Sequence, residues 1–266
     1  MSARARHRHR RSRSSFGKKL GFVAALLAGV VLAAAAATAL WVYDVASSAP
    51  SIESLKPLDS GESSEIFAAD GSRLGYIQAD IVRERVSLDE IPKKLQQATI
   101  AIEDERFYRH SGVDYGAIVR AAVENVEAGF VAKEGASTIT QQLVRNLYME
   151  EPEDTLERKI VEAAMAREYE RKYSKDEILE EYLNTASYGT NNGRTAVGVE
   201  AASQVYFNKH VSDLNLGEAA LLAGLPQAPS LYNPFQNPER AQQRRNLVLK
   251  AMRDQGMISE RKYQKW

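Results

Sequence analysis

The sequence predicts a mainly α-helical body behind a single N-terminal transmembrane helix, with a small β-hairpin between them. Residues 20–43 form 24 positions without one charge, and a bilayer core needs about 20. Asp70-Gly71 lies between short apolar runs, the pattern of a hairpin turn. From Leu88 onward, apolar residues recur at helical spacing almost to the chain end.

Taken in order, residues 1–19 carry eight basic residues and no acidic one. The chain has 35 basic and 35 acidic residues, so the remainder holds 27 basic against 35 acidic, a net of −8. A nucleic-acid partner is therefore excluded for the body. The one-sided cations place residues 1–19 in the cytoplasm and the body outside, held at the cell membrane as a single-pass protein. Trp41 and Tyr43 stand where an interfacial aromatic belt forms. The run is longer than the roughly 7–15 residues of a secretory h-region, which favours a retained anchor. Small residues at 46–49 keep cleavage as an alternative.

Residues 44–64 are Ser-rich with no helical period and read as a linker. Residues 65–87 form the hairpin element and 88–266 the helical body. Within the body, Ser174-x-x-Glu177 is a capping-box signature. Asn215 opens a helix that Gly224 and Pro226 close; Asn237-Pro238 starts another, followed by Gly256. With 44% hydrophobic and 26% charged residues the chain is not generally disordered. With no cysteine it has no disulfide, thiolate metal site or thiol nucleophile.

Three stretches could carry chemistry. Residues 101–112 hold three consecutive carboxylates, then aromatics and His110. A carboxylate against apolar walls can act as a general base, although a solvated acidic turn is the simpler reading. Residues 135–146 crowd Ser137, Thr138, Thr140, Gln141, Gln142 and Arg145 at a helix start. Free N–H groups there suit an anion, and plain N-capping explains the same residues. In residues 157–162, Arg158 and Glu162 share a helix face as an ion pair, in the less stabilising order. Residues 188–198 read as a Gly/Asn-rich loop without a phosphate-binding fingerprint.

In combination these stretches resemble glycosyltransferase family 51, the peptidoglycan glycosyltransferase domain of class A penicillin-binding proteins and monofunctional transglycosylases. The resemblance runs from about 88 to 263. Glu103-Asp104-x-x-Phe107-x-x-His110-x-Gly112 is similar to the first motif and Gly135-x-Ser137-Thr138 through Arg145-Asn146 to the second. Arg158-Lys159-x-x-Glu162 is similar to the third, Lys175 through Asn184 to the fourth, and Gly198 through Lys209 to the fifth. The resemblance implies a lysozyme-like helical domain with a membrane-dipping jaw. It implies that Glu103 is the general base toward the 4-hydroxyl of lipid II, with inversion at the donor and departure of polyprenyl diphosphate. Glu162 is then expected near the diphosphate, directly or through a divalent ion such as Mg or Mn; metal ligands are otherwise unassigned. Arg145, Arg158 and Lys159 are expected to bind the diphosphate, and Asp104, Ser137, Thr138 and Gln141 the substrate. Expected partners are lipid II, the growing glycan chain, the membrane and other wall-synthesis or division proteins.

The sequence departs from the family pattern at Asp154, where many relatives have Arg, at Arg145 in place of Lys, and at Asn208 in place of Gly. Gly189 and Gly198 are also further apart than usual. Ser15-x-x-Lys18 and Ser259-x-x-Lys262 match one transpeptidase pattern in unsuitable surroundings, and Ser-x-Asn and Lys-Thr-Gly do not occur. The chain is thus expected to polymerise glycan without cross-linking it, as a monofunctional enzyme or as a piece of a larger one. The rival expectations are a membrane-anchored lysozyme-like lytic hydrolase and a non-catalytic wall-assembly scaffold.

Overall fold

The computed structural model describes residues 3–58, 65–70, 72–76, 81–127, 137–149 and 155–266. It divides into two units, Met1–Ala49 and Pro50–Trp266. The first is one helix, α1 (Ala3–Ser47). Among the described residues it contains the one helical stretch long and apolar enough to cross a membrane.

The second unit is mostly helical. Its first residues, expected as linker, lie on the body. Ile52 is buried, Ser51 Oγ donates to Glu168 at 2.8 Å, and Lys172 pairs with Glu53 at 2.8 Å. The Leu58 N–H reaches Leu147 O at 2.7 Å. The first strands, β1 (Glu65–Phe67) and β2 (Arg73–Tyr76), pair antiparallel. Asp70 Oδ1 accepts from Ser72 N at 2.9 Å in their turn; Gly71 lies outside the described residues.

A second sheet was not expected. Of residues 188–198, read as a loop, 188–197 lie within a hairpin of β4 (Ser187–Asn191) and β5 (Arg194–Val197), and Gly198 caps the next helix. Asn191 pairs with Arg194, and the two residues between them, Asn192 and Gly193, have φ of 50° and 77°. Positive φ at both central positions is the type I′ geometry that Asn-Gly favours. From the far side, β3 (Ile81–Arg83) pairs parallel with β5, giving the order β3-β5-β4.

The helices of the body are α2 (Lys93–Glu103), α3 (Tyr115–Glu127), α4 (Ile139–Tyr148), α5 (Leu156–Lys172) and α6 (Lys175–Thr185). They are followed by α7 (Val199–Phe207), α8 (Leu216–Gly224), α9 (Pro238–Asp254) and α10 (Glu260–Lys265). Reciprocal side-chain caps start α4 at Thr138/Gln141, α6 at Ser174/Glu177 and α8 at Asn215/Glu218. Each supplies partners for N–H groups that a helix start leaves open. Pro238 opens α9 and Gly256, at φ 73°, follows it. Helix α7 ends at Asn208 in the left-handed region, φ 53°, a conformation that Gly adopts at least cost and Asn tolerates. Ser259, one of the two Ser-x-x-Lys serines, is the N-cap of α10 and accepts from Lys262 N at 3.3 Å.

Two packings position the site. Small residues of α8, Ala219, Ala220 and Ala223, are buried and let α2 and α9 close on it. Helix α4 lies against α5 and α6, burying Ile139, Leu143 and Val144 beside Ile178, Leu179 and Leu183. Truncating any of these Leu or Ile side chains to Ala would cost about 2–5 kcal/mol.

Candidate active site

Glu103 is the last residue of α2, and Asp104, at φ −160°, ends the helix. A carboxylate at a helix C-terminus meets the negative end of the helix dipole, so it needs donors from elsewhere. Gln142 Nε2 donates to Glu103 Oε2 at 2.8 Å. Arg244 Nη2 lies 3.4 Å from Glu103 Oε1, and the two side chains are only 7% and 9% exposed. Tyr182 Oη donates to Gln142 Oε1 at 3.0 Å. Helices α2, α4, α6 and α9 thus converge on one carboxylate.

The electrostatics agree with that convergence. Burial pushes the Tyr182 phenol well above its usual range, and the Glu103 charge adds to it. The cations of Arg145 and Arg244 pull the other way, which brings Arg145, one turn after Gln142, into the same field. The Tyr188 phenol is also raised, by burial first and the Glu103 charge second. Among the described residues, Tyr188 Oη has no hydrogen-bond partner.

Asp104 points away from this group. His110 Nε2 is 3.0 and 2.9 Å from its two oxygens, and Oδ2 accepts from Ile139 N at 3.1 Å. The pair ties the end of α2 to the first turn of α4. Thr138 Oγ1 donates to Gly112 O at 2.6 Å and accepts from Gln141 N at 3.1 Å, while Gln141 Oε1 accepts from Thr138 N at 3.1 Å. Asp104, Thr138 and Gln141, expected as substrate contacts, are buried, and these bonds build the start of α4. Ser137, just before the cap, and Arg145 are half-buried.

The sequence singled out Gln142 only as part of a polar stretch, with no role of its own, and did not single out Arg244. Gln142 had a signal: a Thr-x-x-Gln box engages Gln141, which leaves the next amide to face elsewhere. Arg244 had none, being one arginine among several on α9.

On α5, Thr155 caps the helix and Arg158 pairs with Glu162, which is 1% exposed. The expected ion pair on one face is thus formed. Lys159 is exposed beside it. Gly135 and Asp154 lie outside the described residues.

The family model described as Transglycosylase matches residues 70–253. Penicillin-binding protein 1A of Aquifex aeolicus (strain VF5) is 46% identical over 236 residues, covering 89% of this chain and 32% of that protein. Penicillin-binding protein 2D of Bacillus subtilis (strain 168) is 45% identical over 201 residues, 76% of this chain and 28% of that one. The crystal structure of Penicillin-Binding Protein 1A from Haemophilus influenzae is 26% identical, with a TM-score of 0.43, over 79% of this chain and 21% of that chain. The chain spans 32% or less of the length of these relatives.

Proposed function

The chain belongs to the transglycosylase family, glycosyltransferase family 51, and from that premise we propose that it is a membrane-anchored peptidoglycan glycosyltransferase acting on lipid II. The observation that carries the reading is the state of Glu103: a nearly buried carboxylate held by a neutral amide and a cation. An ionised, positioned carboxylate is what a general base requires.

Glu103 takes the proton of the acceptor's 4-hydroxyl. That oxygen forms a bond to the anomeric carbon of the donor chain from the face opposite the leaving group, so the centre inverts. The bond from that carbon to the diphosphate oxygen breaks, and polyprenyl diphosphate departs with the electron pair. The diphosphate carries negative charge throughout, so fixed cations lower the barrier to its departure. Arg145, Arg158 and Lys159 are assigned that task, and Ser137 a contact to sugar or phosphate. Asp104, Thr138 and Gln141 serve by holding α4, and with it Gln142 and Arg145, against Glu103.

Among the described residues no three His, Asp or Glu side chains converge as a metal cage. A divalent ion at the diphosphate would take part of its ligands from phosphate oxygens and water, as Mg²⁺ commonly does. Glu162 is the carboxylate expected there, and Arg158 already pairs with it.

The test is incubation of the detergent-solubilised chain with lipid II and separation of the product on a gel. Polymer supports the reading. Unchanged lipid II, or shortening of preformed glycan, refutes it and favours a scaffold or a hydrolase respectively.

A further inference from the structure

Arg244 lies outside the five stretches that carry the family resemblance, on α9, 141 positions from Glu103. It is 7% exposed, and burying a guanidinium without partners is costly. Its surroundings are built. Nε donates to Gly224 O at 3.2 Å, at the end of α8. The guanidinium carbon stands 5.6 Å from the centroid of the Tyr232 ring. The stem lies on Gly224, where an added Cβ would come 2.8 Å from Arg244 Cγ. Nη2 stands 3.4 Å from Glu103 Oε1.

We propose that Arg244 is a positioning residue that sets the protonation of Glu103, the base in the reaction above. A guanidinium stays charged at any working pH, and a cation beside a carboxylate favours the ionised form. Ionised Glu103 is the form that can accept the acceptor's proton. The contact is long and single, where a tight pair would be at about 2.7–2.9 Å and often bidentate. A tight pair would hold the carboxylate ionised too firmly to make it a good base, because basicity falls as the pKa falls. Gln142 on the other oxygen adds a neutral donor, so both contacts hold the carboxylate plane while the Arg244 cation acts on its charge. Arg244 acts through Glu103 and need not touch substrate.

The proposal rests on the transferase reading, so the experiment separates the two. The full chain in detergent, as wild type, Arg244→Met, Arg244→Lys and Gly224→Ala, is titrated by ¹³C-glutamate NMR, with the Glu103 signal assigned from Glu103→Gln. In parallel, kcat and KM for lipid II are measured against pH. In Arg244→Met the Glu103 titration and the acidic limb of the kcat profile should both move up by about one pH unit, with KM within about twofold of wild type, a change too small to indicate lost uniform binding. Arg244→Lys should fall between. If Arg244→Met loses its melting transition, Gly224→Ala decides. It keeps every charge and adds a good helix former, but presses on the Arg244 stem, so both curves should again move upward. Titration and limb unmoved in the folded variant, with rate reduced equally at every pH, would overturn the proposal and leave Arg244 a helix-packing residue. Wild-type protein that leaves lipid II unchanged would refute the transferase reading, while the NMR titration would still decide the role of Arg244.

Discussion

Tyr182 Oη donates to Gln142 Oε1 at 3.0 Å, and this bond determines which end of the Gln142 amide faces Glu103. With its oxygen engaged by the phenol, the amide presents Nε2 to the carboxylate at 2.8 Å. The opposite orientation would set two oxygens against each other. Tyr182 is fully buried and its pKa is raised by burial and by the Glu103 charge, so it remains a donor across the working range.

Tyr182→Phe should therefore weaken both stability and turnover. It leaves Gln142 Oε1 without its phenol donor, which costs about 1–3 kcal/mol for a buried acceptor. Thermal melting should fall accordingly, and kcat for lipid II should fall more than KM rises. A variant with wild-type melting and kcat would show that the amide is oriented by something else.

Two backbone positions should respond in opposite directions. Gly198 has φ 87°, and an added Cβ would lie 2.8 Å from Asn184 O, so Gly198→Ala should destabilise by more than about 1 kcal/mol. Asn208 is left-handed at φ 53°, so Asn208→Gly should be neutral or stabilising, by up to about 1 kcal/mol. Chemical denaturation of the two variants checks the signs; equal destabilisation would contradict the backbone account.

The turn between α2 and α3 should give the fold an acid sensitivity. Burial pushes Asp114 upward, but the hydrogen bonds from Arg106 and from the Ala117 N–H outweigh it, and its pKa lies below the ordinary value. A depressed folded-state pKa contributes stability that is present above the unfolded value, about 3.9, and is lost as pH falls through the folded one. Wild-type melting should thus decline toward Asp114→Asn as pH drops below about 4. Parallel melting curves across that range would reject the linkage.

Topology is testable separately. Protease added to intact spheroplasts should digest the region after Ala49 and spare a tag at residue 1, as the N-terminal cations require. A protected body with a digested tag would reverse the orientation.

Much of this was legible in the sequence because its signals are local. Thr138/Gln141, Ser174/Glu177 and Asn215/Glu218 announce helix starts within four residues, and the structure uses all three. The motif stretches also led to the Glu103 and Arg158–Glu162 neighbourhoods. The β4–β5 hairpin was missed although Asn192-Gly193 is a strong turn signal, because its flanks are short and polar beside long helical patterns. The parallel pairing of β3 with β5 joins segments over 100 positions apart, such as Val82 with Ala196, and no local pattern encodes it. The same holds for Arg244, whose meaning depends on α8 and α9 packing beside α2.

Glu103, as the proposed base of a lipid II polymerase, carries the whole mechanism. Its most direct test compares wild type with Glu103→Gln in a lipid II polymerisation assay, with melting temperature measured on the same samples. Wild type should give lysozyme-sensitive polymer and the variant a rate lower by about 10²–10⁴, with the melting transition retained. Near-normal polymerisation by folded Glu103→Gln would contradict it.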